Sequence, residues 1–210
     1  MEISELEGKI INADCMDILK QLPDKSIDLV LTDPPYGIGM DGGNVGYKGF
    51  NDFEKKDWDK ERPSDKYFEE IFRVSKNQII WGGNYFGFPS RCYLVWDKGE
   101  GFYNRTYAEA ELAYTSFDKN VRLYKHDPLA KGDYKGKIHP TQKPISLFTW
   151  CLLNYSNEND LVLDCFSGSG TTAIACHKLK RRFICIEKDP EYWAKSCERL
   201  KAEQAQLQLF

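Results

Sequence analysis

Residues 160–172 read DLVLDCFSGSGTT, and this stretch decides the fold. Its first half, Asp160-Leu-Val-Leu-Asp164, is a short apolar run that predicts a buried strand. Its second half, Ser167-Gly-Ser-Gly-Thr-Thr172, predicts a glycine-rich turn into a helix. The pattern that follows predicts helix, strand and helix over residues 173–180, 182–187 and 190–202. This order indicates a βαβ unit with a parallel sheet.

The N-terminal part of the chain shows the same alternation. Apolar runs predict strands over residues 9–12, 27–32, 78–81, 92–96 and 109–114. Helical patterns cover residues 16–21, 65–74 and 144–155. We therefore predict an α/β fold with a mostly parallel, twisted sheet and helices on both faces, formed by a single domain over residues 1–210. Residues 37–66 are glycine-rich and then charged without a steady period, and we interpret them as a mobile loop.

Composition excludes several classes of protein. The 210 residues are 41% hydrophobic and 29% charged with a net charge of -3, which excludes a mostly disordered chain and a uniformly basic nucleic-acid binder. No apolar run is long enough for a membrane helix, and the N-terminus lacks the features of a secretory signal. Seven scattered cysteines without a CxxC pair indicate reduced, buried thiols and no metal site. We expect a cytoplasmic protein, bacterial or phage-encoded, that does not contact membranes.

One segment is basic although the chain is acidic. Residues 119–143 contain seven Lys or Arg and two Asp or Glu, with tyrosines and histidines among them. Interleaved basic and aromatic side chains suit a nucleic-acid surface, while an ordinary solvated loop is the alternative. The candidate DNA contacts are Lys119, Arg122, Lys125, Lys131 and Lys135.

The glycine-rich turn predicts a cofactor site. Gly168 and Gly170 follow a predicted strand, where they allow a ligand to approach the backbone closely. Glu187 ends the next predicted strand, and a carboxylate there can accept hydrogen bonds from ribose hydroxyls. This pair indicates a nucleoside-containing cofactor without saying which one, and NAD stays open. No Gly-Lys-Ser/Thr occurs in the chain, which excludes an ATP or GTP P-loop.

A second motif, Asp33-Pro-Pro-Tyr36, ends the predicted strand 27–32. Two prolines stiffen the chain and remove two N–H donors, which leaves carbonyls, a carboxylate and an aromatic ring at the edge of the sheet where α/β proteins bind ligands. Such a cluster of acceptors suits a ligand with N–H donors, for example the amino group of a flat base. A proline turn that only ends a strand is the structural alternative.

These motifs resemble those of amino-group DNA methyltransferases. Asp33-Pro-Pro-Tyr36 looks like their catalytic motif, and Asp164-Cys-Phe-Ser-Gly-Ser-Gly170 like their S-adenosylmethionine motif. His139-Pro-Thr-Gln-Lys-Pro144 resembles the segment around the methionine end of the cofactor, and Asn12-Ala-Asp14 the N-terminal opening of the family. The catalytic motif comes first, which is the order of the β class. The resemblance implies a Rossmann-like S-adenosylmethionine-dependent methyltransferase fold.

Residue roles follow from the resemblance. It implies that Asp14 and Cys15 lie near the adenine of the cofactor, that Glu187 holds the ribose, and that Lys143 pairs with the cofactor carboxylate. The implied catalytic residues are Asp33, Pro34, Pro35 and Tyr36. The implied cofactor contacts are Asp14, Cys15, Asp33, His139, Thr141, Gln142, Lys143, Asp164, Phe166, Ser167, Gly168, Ser169, Gly170, Thr171, Thr172, Glu187 and Lys188.

The implied reaction is methyl transfer to the N6 amino group of adenine in double-stranded DNA, because Asp at the first position of the catalytic motif is commoner in adenine enzymes. N4-cytosine methylation is the main alternative, followed by an NAD-dependent oxidoreductase and an inactive binding module. Covalent C5-cytosine chemistry is disfavoured, since no proline precedes a cysteine. We place a short target-recognition segment at residues 97–138, and expect either a short site or a homodimer. No nuclease domain is recognised, so a separate restriction endonuclease chain is a further expectation.

Overall fold

The computed structural model describes residues 2–43 and 53–207. Within these ranges, eight strands form one sheet in the order β1-β8-β7-β2-β3-β5-β4-β6. Seven of these strands run in the same direction, and β5 is antiparallel to both of its neighbours. The strands are β1 Lys9–Asn12, β2 Ile27–Thr32, β3 Ser75–Trp81, β4 Leu94–Asp97, β5 Ala110–Thr115, β6 Arg122–Lys125, β7 Leu161–Asp164 and β8 Arg182–Glu187.

In the part of the chain that the structure describes, six helices flank or connect the strands, after a short 3₁₀ turn at Ile3–Glu5. They are α1 Cys15–Leu19, α2 Asp65–Val74, α3 Gly83–Phe86, α4 Ile145–Tyr155, α5 Thr171–Lys178 and α6 Pro190–Leu207. No helix in the described ranges is long and apolar enough to span a bilayer.

The core lies on both faces of the sheet because side chains alternate along each strand. Leu29 and Leu31 pack with residues of α4 and α5 in one hydrophobic cluster, while Val30, between them, packs with residues of α1 and α2 in the other. The predicted α/β sheet with helices on both faces is confirmed. Six of the seven cysteines are buried in these clusters or beside them, as their apolar surroundings predicted.

Most predicted elements exist, and three differences are informative. Helix α5 begins at Thr171 rather than at residue 173, since Gly170 in the left-handed conformation immediately precedes it. Strand β6, Arg122–Lys125, was not predicted, because it is a charged edge strand and lacks the apolar alternation of an internal strand. Helix α3 was also missed, being only four residues long.

The structure describes only part of the predicted mobile loop, residues 37–66. Residues 44–52 of it lie outside the described residues, and residues 65–66 belong to α2. The remaining parts make specific contacts: Asp59 accepts hydrogen bonds from the backbone N–H groups of Gly37 and Met40. Lys56 forms ion pairs of 2.7 and 2.9 Å with Asp189 and Glu191 beside the start of α6. These contacts attach residues 53–62 to the body of the fold.

Candidate active site

Both sequence motifs line a single cavity of about 1330 Å³ at the carboxyl edge of the sheet. Asp33–Tyr36 follow β2, Asp164 ends β7 and is followed by Cys165–Ser169, and Glu187 ends β8. These three strands are parallel neighbours in the sheet. Parallel strands end at the same edge, so topology brings these distant segments together. The cavity exceeds the ~300–1,000 Å³ typical of a site for one small ligand. It therefore has room for a cofactor and a second, flat ligand.

Asp164 is the structural anchor of the glycine-rich turn. Its carboxylate accepts hydrogen bonds from the Thr32 hydroxyl at 2.7 Å, the Thr172 hydroxyl at 2.5 Å and the Phe166 N–H at 3.1 Å. Burial raises the pKa of Asp164 to about 6, although these hydrogen bonds act to lower it. The side chain thus joins the end of β2 to the start of α5 beneath the cavity.

Glu187 lies above the turn at the end of β8. Its two carboxylate oxygens accept hydrogen bonds from the N–H groups of Gly168 at 2.7 Å and Asp189 at 2.8 Å. Burial nevertheless raises the pKa of Glu187 to about 7. A carboxylate in this position retains free lone pairs that can accept hydroxyl groups of a ligand in the cavity.

The turn itself needs glycine and is held by an arginine that sequence reasoning missed. Gly170 has φ +75°, and an added Cβ would lie 3.1 Å from the side chain of Ser196 and 3.2 Å from that of Ile10. Arg199, from α6, donates to the Ser169 carbonyl at 2.9 Å and to the Thr171 hydroxyl at 3.2 Å. An arginine thirty residues downstream carries no local sequence signal for this contact.

Asp14 lies at the far end of the cavity, where it caps α1. It accepts hydrogen bonds from the N–H of Met16, the ammonium of Lys188 at 2.9 Å and the hydroxyl of Tyr67 at 3.1 Å. Burial opposes ionisation, but these donors hold the pKa of Asp14 below its usual range. The Tyr67 ring lies 6.2 Å from that of Phe166, and Cys15 is buried at the same wall. The sequence-predicted residues Asp14, Cys15, Phe166 and Lys188 are therefore brought together.

The segment His139–Lys143 also lines the cavity. The His139 ring lies 4.3 Å from that of Tyr192 and 5.0 Å from that of Trp58. Burial lowers the pKa of His139 to about 3, with nearby lysines adding to the effect, so the ring is neutral at physiological pH. The Thr141 hydroxyl lies 3.2 Å from His139 Nδ1, and Gln142 accepts a hydrogen bond from the Ile138 N–H. These contacts order the segment.

Asp33 stands between two donors. The Tyr36 hydroxyl donates to Asp33 Oδ1 at 2.5 Å, and the Lys143 ammonium donates to Asp33 Oδ2 at 2.6 Å. Burial raises the pKa of Asp33, while the charge of Lys143 opposes that rise. Lys143 was expected to pair with a cofactor carboxylate; in the structure its partners are Asp33 and Glu111, the latter at 3.1 Å. Pairing with the cofactor stays an untested prediction.

The Tyr36 ring is fixed by residues that directly follow β3. It stacks on Tyr85 with ring centroids 4.7 Å apart and an interplanar angle of 15°. Gly82 has φ +74°, and an added Cβ would overlap the Tyr36 ring. Gly82 and Tyr85 were not predicted as site residues. The signal was available, because Trp81-Gly-Gly-Asn84 after a predicted strand repeats the arrangement seen after β7.

The five candidate DNA contacts do not form one surface. Arg122 begins β6, so it lies at the edge of the sheet opposite the cavity, and Lys119 lies beside it in a small surface depression. Lys119 stacks over Tyr155 at 5.0 Å. Lys125 ends β6 on the cavity side, and Lys131 and Lys135 belong to the following segment, which contributes Leu129 and Tyr134 to the cavity wall. The structure thus separates Lys119 and Arg122 from the cavity.

Comparison with known proteins agrees with this geometry. The fold resembles solved DNA methyltransferases: the M1.HpyAVI–SAM complex superposes with a TM-score of 0.61 at 23% identity, covering 91% of this chain and 99% of that one. The PvuII DNA methyltransferase, described as cytosine-N4-specific, gives a TM-score of 0.57 at 18% identity, covering 94% and 91%. Within the described ranges, no group of three or more His, Cys, Asp or Glu could hold a metal ion.

Sequence comparison identifies the family. The DNA methylase family N6_N4_Mtase matches residues 80–198, more than half of the chain. Type II methyltransferase M.HpaI of Haemophilus parainfluenzae is 28% identical over 94% of this chain and 76% of its own length. Type II methyltransferase M.HinfI of Haemophilus influenzae is 28% identical over 95% and 70%. The chain belongs to the amino-group DNA methyltransferases, which use S-adenosylmethionine to methylate N6 of adenine or N4 of cytosine.

Proposed function

We propose that this protein methylates the N6 amino group of adenine at a specific sequence in double-stranded DNA. The observation that carries this proposal is the Asp33 carboxylate, held between Tyr36 and Lys143 in a cavity that the glycine turn and Glu187 also line. One cavity thus places hydrogen-bond acceptors for an amino group beside a site for a nucleoside cofactor.

The residues present fit S-adenosylmethionine, which supplies an electrophilic methyl group when bound. Glu187 would accept the ribose hydroxyls, and Phe166 with Asp14 and Cys15 would enclose the adenine. The segment His139–Lys143 would contact the methionine part, where the neutral His139 adds no charge. The turn Ser167–Thr172 provides the close backbone approach.

The chain's own residues activate the acceptor. The lone pair of a base amino group is delocalised into the ring, which makes the nitrogen a weak nucleophile. Asp33 and the Pro34 carbonyl can each accept one amino hydrogen, which favours the pyramidal nitrogen that attacks in line. Asp33 is also placed to take the departing proton. Because these acceptors are fixed before the substrate binds, they stabilise the transition state without reorganisation.

The target base must leave the duplex to reach Asp33. We place DNA recognition in residues 97–138, with Lys125, Lys131 and Lys135 on the cavity side of the sheet as phosphate contacts. Lys119 and Arg122 are left out of this proposal, because β6 places them at the opposite edge. Three expectations stay predictions. Limited proteolysis tests the single-domain organisation, sedimentation tests the homodimer, and co-purification tests the separate restriction endonuclease chain.

Adenine is preferred over cytosine because the catalytic motif starts with Asp, the commoner form in adenine enzymes of this family. The test is expression in a bacterial strain without DNA methylation of its own, followed by single-molecule sequencing of its DNA. We expect modified adenine at one short repeated sequence, and none in a strain expressing Asp33→Ala. Modified cytosine at a repeated sequence would transfer the proposal to N4-cytosine, and an unmodified genome would refute both.

A further inference from the structure

Behind the Asp-Pro-Pro-Tyr motif, four charged side chains alternate in sign, two of them buried and two partly buried. Asp33 Oδ2 lies 2.6 Å from Lys143 Nζ, and the same Nζ lies 3.1 Å from Glu111 Oε2. The other oxygen of Glu111, Oε1, lies 2.6 Å from Lys98 Nζ. The side chains of all four residues are less than one fifth exposed. We call this row, Asp33–Lys143–Glu111–Lys98, the charge row.

Each member of the charge row comes from a different element. Asp33 follows β2, Lys98 follows β4, Glu111 lies near the start of the reversed strand β5, and Lys143 precedes α4. Because β5 is antiparallel to its neighbours, its amino end lies at the edge where β2, β3 and β4 end. The reversal therefore carries Glu111 to the cavity.

Lys98 is fixed on the far side of Glu111. Its ammonium lies 5.2 Å from the ring centroids of both Trp96 and Phe102, and its backbone N–H donates to the Glu109 carbonyl. Cation–π contact with two rings suits a cation with little access to water. Lys98 thus holds one oxygen of Glu111 and leaves the other for Lys143.

We propose that Glu111 is a positioning residue for methyl transfer: it holds the Lys143 ammonium at the angle and distance that keep Asp33 oriented toward the amino group. With Glu111 in place, two carboxylates share the ammonium. Without it, Lys143 can move fully onto Asp33 and occupy the lone pairs that the amino hydrogens need. Lys98 supports the same arrangement from behind. This inference rests on the proposed role of Asp33.

The central variant is Glu111→Gln, which keeps the shape of the side chain and removes its charge. We expect the single-turnover rate of methyl transfer to fall about tenfold or more, since small misplacement of reacting groups is costly. The dissociation constant for S-adenosylmethionine should stay within about twofold. Glu100→Gln is the matched control, because Glu100 is exposed and lies outside the cavity wall; it should keep the parent rate.

Loss of Glu111 alone leaves Lys98 buried without its carboxylate, so the single variant can also lose stability. The double variant Glu111→Gln with Lys98→Met keeps the charge row neutral overall. It therefore separates the loss of Lys143 positioning from the loss of stability. We expect it to unfold at a higher temperature than Glu111→Gln while its rate stays low. A parent-like rate in the folded double variant would overturn the proposal.

A pH profile adds a readout that a purely structural role would not move. Asp33 is faced by Tyr36, Lys143, Glu111 and Asp164, and the charge of Glu111 acts to raise the pKa of Asp33. The acid limb of the single-turnover rate should therefore move to lower pH in Glu111→Gln. An unmoved limb together with a parent-like rate would refute the positioning role. Each variant's rate is divided by the rate of the parent protein on the base that the parent methylates. If the parent methylates cytosine instead of adenine, its product shows this, and the rate ratios are unaffected.

Discussion

Lys143 and Asp33 are 110 residues apart in the chain, and their charged atoms lie 2.6 Å apart in the active-site cavity. The same ammonium also contacts Glu111, whose other oxygen pairs with Lys98. This contact joins the segment before α4 to the catalytic motif after β2. Under the proposed function, this contact gives Lys143 a role in orienting Asp33 in addition to any contact with the cofactor.

Replacing Lys143 by Met should destabilise the fold in a pH-dependent way. Lys143 acts to lower the pKa of both Asp33 and Glu111, and in the parent the pKa of Glu111 falls to about 2. Removing the cation leaves the Asp33 carboxylate without its ion-pair partner, while Glu111 keeps its contact with Lys98. Breaking a buried ion pair in this way typically costs about 3–5 kcal/mol. The folded pKa of Asp33, which burial already raises, then rises further above its unfolded value, so the deficit is largest near pH 8 and shrinks as the pH falls. Urea denaturation at pH 8 and pH 5 measures this, and an equal deficit at both would contradict it.

Asp33→Ala should lower the rate of methyl transfer by about 10²-fold or more, by analogy with removal of one oriented catalytic group. Binding of S-adenosylmethionine should persist, since the glycine turn and Glu187 are untouched. Asp118→Ala is a suitable control because that side chain is 83% exposed and pairs with Arg91 away from the cavity. Full activity in Asp33→Ala would remove Asp33 from the mechanism.

The contributions of the Tyr36 ring and of its hydroxyl can be measured separately with two variants. Tyr36→Phe removes only the hydrogen bond to Asp33 and should lower the rate severalfold with little change in DNA binding. Tyr36→Ala should in addition weaken base binding by roughly 1–3 kcal/mol through lost stacking. Fluorescence titration with a duplex that carries a flippable base analogue measures the binding. Equal DNA affinities of the two variants would argue against stacking.

Gly82 is predicted to be essential for the position of Tyr36. Gly82→Ala places a Cβ in the Tyr36 ring at a backbone conformation of φ +74°. Gly87→Ala is a matched control, since Gly87 has φ +71° and nothing within 4 Å of the added atom. Both substitutions should lower the folding stability by about 1 kcal/mol, because alanine disfavours a positive φ. Only Gly82→Ala should also lower the activity. Comparable activities in the two variants would show that the ring can move aside.

Glu187→Gln should change how stability depends on pH. Burial raises the folded pKa of Glu187 to about 7, above the ordinary value of 4.5. The charged carboxylate therefore lowers parent stability above pH 7, by at most about 3 kcal/mol, and this effect disappears as the pH falls through 7 toward 4.5. The stability of the variant relative to the parent should be greatest near pH 8 and decline on acidification, measured by thermal unfolding across that range. Cofactor binding should weaken, and a pH-independent difference would contradict the assignment.

The sequence predicts most of the elements and the two motifs, but not the contacts that join distant segments. Asp33-Pro-Pro-Tyr36 and the glycine turn follow apolar strands, and parallel topology alone predicts that they meet. Glu111 could not be assigned in this way, because its place depends on the reversal of β5, which no local pattern indicates. Trp58 reaches the cavity, and Arg199 reaches the glycine turn, through contacts that depend on tertiary packing. The basic residues at 119–135 were treated as one surface, whereas strand β6 divides them between two edges.

The most direct test of the proposed reaction is the identity of its product. The purified protein is incubated with unmethylated duplex DNA and S-adenosylmethionine that carries a deuterated methyl group, and the DNA is digested to nucleosides for mass spectrometry. We predict deuterated N6-methyladenine with the parent protein and none with Asp33→Ala. Deuterated N4-methylcytosine in its place, or no labelled base from a protein shown to bind the cofactor, would contradict the proposed function.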